Sequence, residues 1–270
     1  MAALLLAFLV GLALGSFLNV VITRLPLGEA VWAGRSRCPH CRAPIPWHDN
    51  LPLLSFFLLR GRCRFCHRPI SWRYPAVELA GGLLALALWA SFPGSYLLLV
   101  YGPFCAALLA LTGLDLEHRW LPDVITLPGV ALGLAFSLIF PHLSFWEALG
   151  GALAGGALFY GIMWTYEKLT GKMGMGGGDV KLLALIGAFL GIKSLPFVIL
   201  VSAALGSLVG IGAVLITGNW RQGGWRVTDI PYGPFLAGAA LLYLFGNREL
   251  SRLLAGGINT VFCLPFSVFC

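Results

Sequence analysis

Apolar residues in this chain gather into long unbroken blocks, where a soluble core would show short periodic stripes, and this restricts the fold more than any motif does. The blocks lie at roughly 1–23, 76–92, 95–114, 124–140, 145–166, 180–192, 194–217 and 232–246. About 20 apolar residues in an α-helix cross the hydrocarbon of a bilayer, with every backbone polar group satisfied inside the segment. The expected fold is therefore an all-α polytopic membrane protein with about eight transmembrane helices. Composition agrees, since 59% of the 270 residues are hydrophobic and only 11% are charged. The opening run has no basic segment before it and continues to Ile22, so it reads as a retained first span and not as a cleaved signal.

Four segments follow from this pattern. Residues 1–23 form a first transmembrane helix, 24–75 a polar loop domain, 76–247 a membrane core, and 248–270 a tail that is either interfacial or an extra span. A net charge of +7 would suggest nucleic acid in a soluble chain. Here its placement matters more. Of the 18 Lys and Arg, all but Lys193, Arg248 and Arg252 fall in alternate connections on one side, among them Arg24, Arg35, Arg119, Lys172, Arg221 and Arg226. The positive-inside rule makes that side cytoplasmic and sets the N-terminus outside. The arginines then read as orientation and lipid-headgroup anchors, and no nucleic-acid partner is expected.

Two aspartates stand out against this background. Asp115 ends a long apolar run, and Asp179 follows the glycine cluster Gly174-Met175-Gly176-Gly177-Gly178 and precedes another. Two whole spans separate them, so both carboxylates belong to the same membrane face. A helix C-terminus disfavours negative charge, which makes Asp115 a poor structural residue and a good acid/base candidate. Asp123, after Pro122, has the pattern of an N-cap. The sixth block has only eleven residues between Lys181 and Lys193, about 17 Å of helix against about 30 Å of hydrocarbon, so it needs protein, water or snorkelling lysines around it. Small residues crowd the fifth and seventh blocks, including Gly151 and Gly155, then Gly206, Gly210 and Gly212, and read as close helix packing.

The 24–75 loop carries Cys38-Pro39-His40-Cys41 and Cys63-Arg64-Phe65-Cys66, two CxxC pairs separated by 21 residues. Paired knuckles of this kind give four thiolates to one tetrahedral zinc ion, and the basic, cytoplasmic character of the loop argues against disulfides. The domain is thus expected to be a small cytoplasmic zinc-ribbon-like one with a structural Zn(II) on Cys38, Cys41, Cys63 and Cys66. His40 and His67 adjoin the knuckles as substitute ligands. Cys105, Cys263 and Cys270 lie in apolar surroundings and read as small buried hydrophobes.

Two aspartates sharing a proton activate water with one carboxylate and protonate a leaving amine with the other, which is aspartyl peptidase chemistry. They serve equally well as a relay in a proton-coupled transporter. A Rossmann reading of the glycine cluster fails because no strand-helix-strand unit surrounds it.

Family resemblance separates these two. The chain resembles the prepilin peptidases, or type IV leader peptidases, GxGD-type membrane aspartyl proteases. The resemblance runs through Gly15-Ser16-Phe17-Leu18-Asn19, Arg24-Leu25-Pro26, the two CxxC knuckles, Arg73-Tyr74-Pro75 with Glu78, Asp115 with Leu121-Pro122-Asp123, the run from Gly176 through Asp179 with Lys181, and Pro231-Tyr232-Gly233-Pro234-Phe235. It implies that Asp115 and Asp179 are catalytic. It also implies cleavage of the short basic leader of type IV prepilins and type II secretion pseudopilins at the cytoplasmic face of the bacterial inner membrane. N-methylation of the new terminus with S-adenosylmethionine is the implied second reaction, and the cysteine loop is the part associated with it, with no cofactor-binding residues assigned. Gly176, Gly178, Lys181, Glu78 and Glu117 are candidates to contact the substrate.

Overall fold

The structure, a computed structural model, describes residues 1–32, 34, 36–171, 176–217 and 230–256. Among these it is helical, with no strand beyond two isolated bridges. Eight helices stand where the apolar blocks lie: α1 (Ala2–Arg24), α3 (Arg73–Ser91), α4 (Leu97–His118), α5 (Asp123–Ile139), α6 (Phe145–Thr170), α7 (Gly177–Leu190), α8 (Leu195–Thr217) and α9 (Gly233–Gly256). A short α2 (Leu54–Leu58) lies in the cysteine loop. Among the described residues, five stretches can cross a membrane by length and hydropathy: Ala2–Leu27, Arg73–Ser91, Leu97–His118, Phe145–Thr170 and Ile192–Ala213. Helix number thus matches the expected eight, and span length is reached by five. Of the tail, α9 runs on to Gly256, and the interfacial or extra-span question for residues 257–270 lies outside the described residues, as do Cys263 and Cys270.

The chain divides into two compact units, Met1–His118 and Arg119–Cys270. In the first, α1 and α3 cross backbone to backbone. A Cβ on Gly11 would lie 2.4 Å from the Gly81 carbonyl oxygen, and one on Gly15 would lie 2.7 Å from the Glu78 Cα, so only glycine allows the approach. Gly11 and Gly15 stand four apart in the sequence, the spacing of a close helix contact. Below the crossing, Ile22 is fully buried, and a Cβ on Gly113 of α4 would sit 2.3 Å from its Cδ1. Arg73 then ties three helices. It pairs with Glu117 of α4 and donates from Nη2 to Thr23 Oγ1 of α1 at 2.9 Å.

The second unit is built around α7. Its 14 residues span about 21 Å, and the run from Leu185 through Leu190 is buried on every face, as are Leu182 and Leu183. Protein, then, surrounds the short block, the first of the three options the sequence left open. Gly151 of α6 and Gly187 of α7 face each other so closely that a Cβ on either would fall 2.2–2.3 Å from the other's carbonyl oxygen, and a Cβ on Gly155 would lie 2.8 Å from the Leu183 oxygen. From α5, Gly129 and Gly133 receive Leu185 and Phe189. The small residues of α8 behave differently: Gly206 meets Tyr232 and Phe235 only at ordinary contact distance, and Gly212 faces open space. Among the described residues, close backbone packing is seen for the fifth block and not for the seventh.

Candidate active site and metal centre

Residues 36–47 and 61–72 fold alike. Cys38 N–H donates to the Ala43 oxygen and Cys63 N–H to the Arg68 oxygen, both at 3.0 Å, while Arg42 and His67 donate back to the Cys38 and Cys63 oxygens at 2.9 and 3.0 Å. Bridges join Arg37 to Pro44 and Arg62 to Pro69. Arg42 and His67 take the same left-handed backbone, φ 57° and 56°, a conformation that glycine adopts without the steric cost. The repeat is present in the sequence as Arg-Cys-x-x-Cys-x-x-Pro-Ile-x-Trp, and a search for internal similarity would have found it.

Each hairpin delivers two thiols to one point. Cys38 and Cys66 sulfurs are 3.8 Å apart, Cys41 and Cys63 sulfurs 4.0 Å, and all four lie within 4.8 Å of one another. A tetrahedral ion with metal–sulfur bonds of about 2.3 Å places its sulfurs about 3.8 Å apart, so the four can hold a metal ion. His40 and His67 are outside the cluster; His67 serves the turn instead. Backbone N–H groups of Cys66 and Phe65 bring the Cys63 thiol down to about 7. At Cys41 the Ala43 N–H pulls the same way, but desolvation and hydrogen bonding with the other three cysteines outweigh it and push that thiol up to about 11. Arg64, between the second pair of cysteines, clamps Asp49 through Nε and Nη2, both at 2.6 Å. That clamp holds the Asp49 carboxyl below the usual carboxylate range.

Asp115 lies in the last turn of α4 and is 6% exposed. The helix runs one turn further than the apolar block because Leu116, Glu117 and His118 continue it. Asp179 belongs to the other unit. Gly176 occupies the N-cap position of α7 with extended backbone, Gly177 and Gly178 form its first residues, and the Asp179 N–H donates to the Gly176 oxygen at 3.2 Å. The helix N-terminus favours an anion at Asp179. Among the described residues, Gly178 alone of these three is sterically required, since a Cβ there would lie 2.7 Å from Leu121 Cβ, while Gly177 meets nothing. The Asp179 charge also reaches the Tyr232 phenol, which shares a hydrogen bond of 2.8 Å with the Ser202 hydroxyl. Gly174 and Met175 of the cluster lie outside the described residues, as do Arg35, Lys172, Arg221 and Arg226.

Residues 9–92 match the Bacterial Peptidase A24 N-terminal domain, and residues 102–211 match the Type IV leader peptidase family. The chain is 40% identical over 271 residues, 92% of each chain, to the prepilin leader peptidase/N-methyltransferase of Aeromonas hydrophila. The chain belongs to the type IV leader peptidase family. A relative of the same name from Burkholderia pseudomallei strain 1026b is 40% identical over 93% of this chain and 87% of its own. A third, from Klebsiella pneumoniae, is 45% identical over 73% of this chain and 89% of its own. No solved structure matches.

In this leader peptidase family member the remaining site candidates have defined surroundings. Lys181 Nζ donates to Asp123 at 2.5 Å. Asp123 is therefore not the N-cap: Pro122 holds that position with extended backbone, and the aspartate, one residue into the helix, has its carboxylate on the lysine. Glu117 is taken by Arg73, with His118 beside it. Glu78 accepts the Leu53 N–H at 2.8 Å and a hydrogen bond from Ser16. Cys105 is buried, 2% exposed, as a small hydrophobe.

Proposed function

We propose that this chain is a membrane aspartyl endopeptidase that removes the short basic leader of type IV prepilins and type II secretion pseudopilins and N-methylates the new terminus with S-adenosylmethionine. The observation that carries the reading is the 40% identity, over 92% of both chains, to a relative named for both activities, with Asp115 and Asp179 at the motif positions. It acts at the cytoplasmic face of the bacterial inner membrane, with its N-terminus outside. Support for that orientation comes from the lysine and arginine asymmetry.

Asp115 and Asp179 supply the two carboxylates of the peptidase reaction. One takes a proton from the attacking water, and the other delivers a proton to the leaving amine. Burial around Asp115 and the α7 N-terminus at Asp179 give the two groups unlike surroundings, the condition under which a carboxyl pair divides acid and base roles. Gly176 leaves room for an extended peptide backbone beside Asp179, Gly178 seats the Leu121 side chain, and Lys181, with Asp123, borders the site.

Zinc fits the cysteine cluster by sulfur spacing and by the thiolate chemistry of the knuckles. Four thiolates leave no position for water, so the ion is structural and Cys38, Cys41, Cys63 and Cys66 hold the loop fold. The test is purified protein with a synthetic prepilin, reading the new N-terminus by mass spectrometry with and without S-adenosylmethionine. Cleavage is expected in both arms and a mass increase of one methyl group only with the donor. Asp115→Asn and Asp179→Asn are each expected to lower cleavage by at least about 10³-fold; near-wild-type cleavage in either would end the assignment.

A further inference from the structure

The motif Pro231-Tyr232-Gly233-Pro234-Phe235 leads into α9 and has no part in the proposed carboxylate chemistry. Its surroundings in the second unit give it one. Along their seam α6 and α7 run antiparallel: a Cβ on Gly151 would meet Gly187 and one on Gly155 would meet Leu183, so four residues up α6 match four residues down α7. The next step brings Phe159 level with Asp179. Phe159 is 2% exposed, and its ring packs on that of Tyr232 with centroids 6.3 Å apart. Tyr232 therefore stands at the Asp179 end of the seam, where the carboxylate's charge reaches its phenol.

The tyrosine ring lies along α8. A Cβ on Gly206 would be 3.6 Å from Tyr232 Cε2 and 3.8 Å from its Cδ2, and one turn earlier the phenol oxygen meets Ser202 Oγ at 2.8 Å. Ser202 is fully buried and also donates to the Ile199 oxygen at 3.0 Å. A serine hydroxyl has one proton to give. With that proton on Ile199, the bond between the two side chains runs from the Tyr232 O–H to the Ser202 oxygen. The phenol proton is thus turned into α8, and the half-buried tyrosine offers only oxygen lone pairs to a ligand.

A phenol acceptor near an anionic carboxylate suits a ligand that brings donors. A peptide bond due for hydrolysis lies in an extended segment, and unwinding a helix near the hydrocarbon leaves its N–H groups in need of partners. Room for such a segment exists at Gly176, where a Cβ would meet nothing closer than the Asp179 carboxylate at 3.9 Å. We infer that Tyr232 is a substrate-binding residue of the peptidase site and Ser202 the residue that positions it: the phenol oxygen accepts a backbone N–H of the unwound segment and so sets the scissile bond against Asp179. The inference rests on the proposed leader cleavage and adds to it a contact that recognises peptide backbone and not side chains.

The test is steady-state leader cleavage by full-length protein in lipid nanodiscs. Its substrates are a synthetic prepilin and a set of prepilins each methylated on one backbone nitrogen around the scissile bond, and melting temperature checks the fold of every variant. Tyr232→Phe keeps the ring contacts with Phe159 and Gly206 and removes only the hydroxyl. It is expected to raise KM about three- to tenfold, the effect of one uncharged hydrogen bond, with kcat within about twofold of wild type. Ser202→Ala is expected to act in the same direction, and the double variant to match Tyr232→Phe alone, because Ser202 works through the phenol. One of the methylated prepilins should be a poorer substrate for wild type by a similar factor, with that penalty absent in Tyr232→Phe. Unchanged KM in Tyr232→Phe, additive losses in the double variant, or the same methylation penalties in both proteins overturns the inference. A fall in kcat at unchanged KM overturns it too, since the phenol would then act on the reacting atoms. A wild type that cleaves no prepilin refutes the peptidase function itself, whereas normal cleavage by both wild type and Tyr232→Phe refutes the tyrosine assignment alone.

Discussion

The two units use the same device under different loads. Each is seamed by a glycine crossing, Gly11 with Gly81 in one and Gly151 with Gly187 in the other, close enough that a methyl group would strike backbone. In the first unit the seam ends at a polar cavity bounded by hairpins that bury little apolar surface and bring four cysteines together. In the second it secures α7, whose apolar residues are almost all buried and which needs no ion. A shared helix contact thus says little about what stabilises the surroundings; metal removal and overpacking tell the two apart.

The largest effect is expected from Gly187→Leu. With carbonyl oxygen 2.2 Å from the new Cβ, the seam must open, at a cost of about 3 kcal/mol or more. Thermal unfolding in detergent should show it, with leader cleavage lost. Next, Cys63→Ser or treatment with a strong chelator should remove the metal and suppress methyl transfer far more than cleavage, measured by metal analysis beside the two product assays. Equal suppression of both reactions would show that the metal supports the two units alike and break the comparison.

Much of this was legible in the chain. Apolar blocks located the helices because a bilayer imposes length on them, and CxxC spacing located the four-cysteine cluster because the geometry of paired knuckles is set locally. Partnerships were not legible. That Lys181 sits on Asp123 and Glu117 on Arg73 depends on which helices lie side by side, and charge placement along the chain leaves that open. The helix ends were also misjudged by a turn at Asp115, where polar residues continue α4 once neighbouring helices support it. The hairpin repeat is readable in the Pro-Ile-x-Trp that follows each cysteine pair, a weaker signal than the cysteines themselves.

Smaller changes sharpen the contrast. Asp49→Asn should raise the zinc dissociation constant about three- to tenfold by releasing Arg64 within the second hairpin, measured by competition with a chromophoric chelator. His67→Gly should work in the other direction and stabilise the zinc-loaded hairpin by up to about 1 kcal/mol, since the left-handed turn no longer strains a side chain. Gly212→Ala in α8 has open space around it and should stay within about 0.5 kcal/mol of wild type; a large loss there would mean that α8, too, is seamed to a partner.

The last turn of α4 carries Asp115 and, two residues on and pointing to another side, Glu117, which holds Arg73 at the cavity wall. One short stretch of backbone therefore carries both the proposed catalytic carboxylate and the anchor of Arg73 at the cavity wall, so that a shift of this turn moves the two together.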